Sequence, residues 1–252
     1  MRVFIGSEIE EPSEAAFLRI LVSDLTRLAC DAVIFANFLA GPRRRQIDFV
    51  IITERIASVV ELKAFTRPVS GDINGQWSVY RADGETEIIK GENPYCQALS
   101  TKYALSDAME QFARRRGDIP IPSSRRFYEA LDAALCFYPT VPDGSKIPPG
   151  DHKVVILGYP QLLERLTSIT LNPGWRIEHW CALATDYLRL HEIAAVENIQ
   201  ESGQRDLREY VERFRECTFG RCPAWYLRAS APAPASSREI SSGNCCFAAK
   251  TS

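Results

Sequence analysis

No apolar run in this 252-residue chain approaches the roughly 20 residues needed to span a bilayer; stretches such as VVIL at 154–157 fall far short. There is no Cys-x-x-Cys pair either, because the eight cysteines are scattered at 30, 96, 136, 181, 217, 222, 245 and 246. That spacing argues against a zinc ribbon and, at this length, against a disulfide framework. Cys217 and Cys222 could join Cys245 and Cys246 as four ligands only across an Ala/Pro/Ser-rich stretch, and unrelated thiols are the simpler reading. Histidine is scarce: His152, His179 and His191 have neither metal-ligand nor triad spacing. An excess of one charge is absent too. With a net charge of −2, nucleic-acid binding would have to rest on a local patch. The opening MRVFIGSEIEEPSE turns acidic where a signal peptide needs a long apolar stretch, so the chain is expected to be cytoplasmic. No internal repeat is visible.

What remains is the composition of a globular protein with a sizeable core. A helix is expected from Pro12-Ser13-Glu14, with Ser13 as N-cap and Ala16, Phe17, Ile20, Leu21, Leu25 and Leu28 at helical spacing. AVIFANFLA reads as a strand, broken at Gly41-Pro42 and followed by Arg43, Arg44 and Arg45. QIDFVIITERIASVVELK then reads as two buried strands, residues 47–52 and 56–63, about a turn centred on Glu54-Arg55. Cross-strand partners in such a hairpin sum to about 109, which sets Asp48 opposite Glu61. Lys63, two residues past Glu61, shares its face. Glu54-Arg55 does not favour a type I′ turn, so a four-residue loop about the same centre is expected. Asn74-Gly75 in RPVSGDINGQWSVY predicts a second hairpin added to the sheet. Asn93-Pro94 predicts a helix start, with Gln97 near its N-terminal end. DAALCFYP and KVVILGYP read as core strands separated by an exposed Pro/Gly-rich loop, the second leading into a short helix over 161–166. WCALATDYLRLHEIAAVENI and DLREYVERFREC read as helices. The tail from about Ser230 has no periodicity and is expected to be disordered. The organisation predicted is a core domain over 1–170, a helical extension over 171–229 and a tail over 230–252.

Charge set into apolar strands is costly unless it is paired, neutralised or bound to metal. Asp48 and Glu61 would offer hard oxygen ligands to Mg²⁺, with the backbone carbonyl of Leu62 and waters completing the shell. Beside them, the Lys63 ammonium would orient a water or offset developing charge, an arrangement suited to phosphodiester hydrolysis. A salt-bridged cluster at a sheet edge is the other reading, and spacing alone leaves both open.

Ile47-Asp48 followed by Glu61-Leu62-Lys63 resembles the PD-(D/E)XK nuclease signature. Within that superfamily the chain most resembles the NERD (nuclease-related) domain, through Glu14, RRRQIDFVII, VVELKAF, SGDINGQW and NPYCQA, which together span residues 1 to about 115. The resemblance implies an α/β fold with a restriction-endonuclease-like αβββαβ core, a mixed central sheet flanked by helices, to which the C-terminal helices would be an extension. It further implies Asp48 and Glu61 as ligands of Mg²⁺ or Mn²⁺, Lys63 as catalytic lysine, and Glu14 and Gln97 as flanking polar residues. Arg43, Arg44 and Arg45 would then contact phosphates. Thr66-Arg67-Pro68 departs from the aromatic and glycine-containing turn expected after ELKAF. The activity implied is a nuclease acting on DNA. The alternative is a noncatalytic module that binds nucleic acid or protein, since domains of this family are often joined to helicase or kinase domains.

Overall fold

The structure, a computed structural model, describes residues 1–81, 83–121, 126–171 and 174–193. Strand β1 (Arg2–Ile5) precedes α1 (Pro12–Arg27), followed by β2 (Ala32–Ala40), β3 (Arg45–Thr53) and β4 (Ala57–Lys63). Three short strands, β5 (Val69–Ser70), β6 (Ser78–Tyr80) and β7 (Thr86–Ile88), lead to α2 (Pro94–Arg116). After a 3₁₀ turn come β8 (Asp132–Phe137), β9 (Val155–Gly158), α3 (Tyr159–Ser168) and α4 (Ile177–Ala182). A π-helical stretch, Leu183–Leu188, and β10 (His191–Ile193) complete the described chain. Seven strands form one mixed sheet in the order β10-β1-β2-β3-β4-β8-β9. The run α1-β2-β3-β4-α2-β8 is the αβββαβ core expected from the sequence.

The β3-β4 hairpin pairs Phe49 with Val60 and Val50 with Val59, the register read from the sequence. Its turn needs no glycine, and neither Glu54 nor Arg55 takes a positive φ. Instead the Thr53 hydroxyl accepts from the N–H groups of Arg55 and Ile56, both at 3.2 Å, and donates to the Leu166 carbonyl. One threonine thus closes the turn and ties it to α3.

Both faces of the sheet are covered. On one, Phe17, Leu21 and Leu25 of α1 and Leu162 and Leu166 of α3 pack on Ile34, Phe49, Ile51 and Val60. On the other, Leu105, Met109 and Phe112 of α2, with Trp180 and Leu183, pack on Phe35, Val50, Ile52 and Val59. Helix α2 starts where expected: the Asn93 side chain accepts from Tyr95 and Cys96 N–H, and Pro94 takes the first position, where its missing N–H costs nothing.

Several expectations are corrected. The cap of α1 is Glu11, not Ser13; its carbonyl accepts from Glu14 and Ala15, and Pro12 holds the first helical position. Asn74-Gly75 does not make a tight hairpin on the central sheet. Val69 pairs with Val79 in a separate three-stranded sheet, leaving a long connection between them. That connection is held by the Asn93 amide, which donates to the carbonyls of Asp72, Ile73 and Gly75. The small sheet then packs through Val69 and Trp77 on Phe137, Tyr95 and Ile156. Over residues 141–150 the loop is half-buried rather than fully exposed, with Lys146 N–H bonded to Val69 O and Gly71 N–H to Lys146 O. The single helix expected over 180–199 starts earlier and ends at Leu188, because Arg189 turns the backbone left-handed (φ 60°) and β10 pairs antiparallel with β1. Strands β1 and β10 were not expected. DLREYVERFREC, the tail and Cys217, Cys222, Cys245 and Cys246 lie outside the described residues.

Candidate active site

Asp48 lies in β3 at the end of the hairpin away from its turn, one residue beyond the last paired rung of Phe49 with Val60. Both carboxylates are buried, with 8% and 1% exposure. Asp48 Oδ2 accepts from the Leu62 N–H at 2.9 Å, which holds its carboxylate against β4. Glu61 Oε1 accepts from the Lys63 ammonium at 2.6 Å, while Glu61 Oε2 is buried with no hydrogen-bond partner. A buried carboxylate oxygen in that state costs free energy unless a cation or donor reaches it.

The lysine spans two elements. Its Nζ also donates to Gln97 Oε1 at 3.3 Å, from the first turn of α2. Asn93 fixes that turn, so a cap that also anchors the residue 72–75 loop sets where Gln97 stands. Glu14 approaches from the first turn of α1. Burial, reinforced by Asp48 and Glu11 and opposed by Lys63, pushes its carboxyl up to about 7. Burial also raises Glu61, with Asp48 adding and Lys63 opposing. Asp48 is raised by burial against the Leu62 hydrogen bond and Lys63. Burial thus disfavours the charged form of all three carboxyls, and the Lys63 ammonium opposes it.

Asp48, Glu61, Lys63 and Gln97 are therefore brought together, with Glu14 electrostatically coupled to them. The arginines divide. Arg43 and Arg44 are exposed on the β2-β3 turn, whereas Arg45 opens β3 and pairs with Glu92 at 2.7 Å. A cleft of about 570 Å³ runs alongside, lined by Glu8, Glu14, Asn37, Arg44, Gln46 and Arg189 among others. Asp48, Glu61 and Lys63 do not line it. Among the described residues no group of three or more His, Cys, Asp or Glu side chains is gathered for a metal.

Sequence reasoning missed Asn37 and Gln46. Asn37 is buried in β2 and its amide oxygen accepts from Gln46 Nε2 at 2.9 Å. The available signal was a polar residue interrupting the apolar run AVIFANFLA.

A mixed sheet presenting a buried aspartate and glutamate on adjoining strands, with a lysine two residues on, is an α/β nuclease-like arrangement. Residues 11–127 match the family model of the nuclease-related domain, NERD. No curated protein and no solved structure matches it. Among the described residues no helix is long and apolar enough to cross a membrane.

Proposed function

We propose that the protein is a divalent-metal-dependent nuclease that hydrolyses DNA phosphodiesters, working in the cytoplasm. One observation carries the reading: Glu61 Oε2 is buried without a partner beside Asp48, on a site where burial pushes both carboxyls towards neutrality against Lys63. That donor set fits Mg²⁺ or Mn²⁺, hard cations that take carboxylate oxygens, with the Leu62 carbonyl and waters as further ligands. When bound, such an ion polarises a phosphoryl oxygen and acidifies a water.

The chain's own residues supply the rest. Lys63 donates to Glu61 and Gln97, and its third N–H remains for a water or a phosphoryl oxygen. From there it aligns the attacking water and offsets charge that accumulates as the phosphorus–oxygen bond breaks. Gln97 keeps the lysine from folding wholly onto Glu61. Arg43 and Arg44, exposed on the turn ahead of Asp48, grip flanking phosphates without reading bases.

The test is cleavage of plasmid and linear DNA with Mg²⁺ or Mn²⁺, beside Asp48→Ala and Lys63→Ala. Wild-type cleavage falling about 10²- to 10³-fold or more in each variant is expected. No cleavage by any protein, or equal cleavage by all, sinks the nuclease and leaves a binding module.

A further inference from the structure

We propose that Asn37 is a positioning residue that aims Asp48 into the carboxylate site; the inference rests on the metal-dependent reading above. In the β2-β3 ladder, Ala36 pairs with Phe49 and Phe38 with Ile47, yet the rung between them, Asn37 with Asp48, is missing. Asn37 sits there with φ 46°, left-handed backbone in the middle of a strand.

The consequence shows in which side chains share a core. Val33 and Phe35 face the α2 side and Ile34 and Ala36 the α1 side, as strict alternation requires. Beyond Asn37 the phase changes, since Phe38 and Ala40 face the α2 side again. β3 does the same: Val50 and Ile52 face α2, Phe49 and Ile51 face α1, and Ile47 returns to the α2 side. Each strand therefore carries one residue out of phase at the same level, and in β3 that residue is Asp48. Paired irregularities of this kind re-aim a side chain next to a site.

Asn37 is also clamped. Its Nδ2 donates to the Glu8 carbonyl at 2.6 Å, its Oδ1 accepts from Gln46 Nε2, and its own carbonyl accepts from Ser7 N–H. The Gly6 backbone approaches so closely that a Cβ there would lie 2.5 Å from the Phe38 Cβ and 2.8 Å from the Asn37 carbonyl oxygen. The loop after β1 thus presses on the irregular rung and holds it. Asparagine suits the place, since it tolerates left-handed backbone and can bond locally. An alanine there favours regular extended backbone, which would restore the rung and turn Asp48 off its line.

Two readouts isolate this role. Without metal, the Leu62 amide reports Asp48 directly, because its N–H donates to Asp48 Oδ2; ¹H–¹⁵N spectra of the full chain follow its shift and exchange protection. With Mn²⁺ alone, calorimetry gives the affinity. Asn37→Ala is expected to shift and deprotect the Leu62 amide and to weaken Mn²⁺ binding about 10- to 100-fold, the usual scale for a residue that orients a ligand. Asn37→Gly keeps the left-handed backbone but loses both side-chain clamps, and is expected to weaken Mn²⁺ about threefold to tenfold, less than Asn37→Ala. Gln46→Ala, an exposed substitution that spares the fold, releases one clamp and is expected to weaken Mn²⁺ about threefold to tenfold with a smaller Leu62 shift. If Asn37→Ala does not fold, Gln46→Ala decides. Unchanged Leu62 signals and Mn²⁺ affinity in the folded variants overturn this proposal alone. Failure of Mn²⁺ to bind the unaltered protein removes the metal reading and this proposal with it.

Discussion

Replacing Glu14 with glutamine gives a measurable consequence of the electrostatics around Lys63. The folded protein holds the Glu14 proton up to about pH 7, against an ordinary 4.5. Between these values the folded chain binds more protons than the unfolded one, so stability falls as pH rises and the loss is complete above about 7. The difference corresponds to about 3 kcal/mol at about 1.4 kcal/mol per pH unit. Because Glu14 is only half-buried, solvent screening reduces that to about 1–2 kcal/mol. Glutamine imitates the protonated acid. In EDTA, Glu14→Gln should match wild type near pH 5 and exceed it at pH 8 by about 1–2 kcal/mol, or about 2–8 °C in Tm for a domain of this size. Urea titrations and thermal melts across pH 5 to 8 measure both quantities. Parallel curves for the two proteins would refute the reasoning, and a variant less stable at pH 8 would reverse its sign.

Two further predictions concern the scaffold. Asp132, nearly buried at the start of β8, accepts from Ser58 Oγ and from Arg165 Nε and Nη2, at 2.8, 3.0 and 2.7 Å. Asp132→Ala leaves that guanidinium uncompensated and should cost about 3 kcal/mol in urea denaturation, with a loss below about 1 kcal/mol counting against it. Asn93→Ala removes the α2 cap and the tie to the residue 72–75 loop, for about 2 kcal/mol in all, of which the cap supplies about 1. Limited proteolysis should then cut first near residues 71–76, and an unaltered digestion pattern would separate the loop from the cap.

The β3-β4 register was legible because apolar residues bury both faces there and a one-residue slip would misplace all of them. The start of α2 was legible because Asn93-Pro94 encodes it locally. Other elements depend on distant partners. Asn74-Gly75 reads as a tight turn, but three bonds from the Asn93 amide hold the segment open. RVFI is too short to show a period, and β10 exists because β1 is there to receive it. Within the site, charge spacing located Asp48, Glu61 and Lys63, and the resemblance to nuclease-related domains drew attention to Gln97 and Glu14. The polar interruption of AVIFANFLA marks Asn37 in the sequence, but its part in the site depends on a left-handed backbone and a missing rung, which that interruption does not encode.

The placement of β8 bears on how this fold can be divided. It lies between β4 and β9, parallel to both, yet begins at Asp132, beyond the last residue of the family match. A fragment ending at residue 127 keeps every side chain of the proposed site and loses β8, β9 and β10. Strand β4, which carries Glu61 and Lys63, would then become an open margin with free amides and carbonyls, prone to pair with a second molecule. The unit that can be cut out and transplanted is therefore larger than the stretch by which its kinship is recognised.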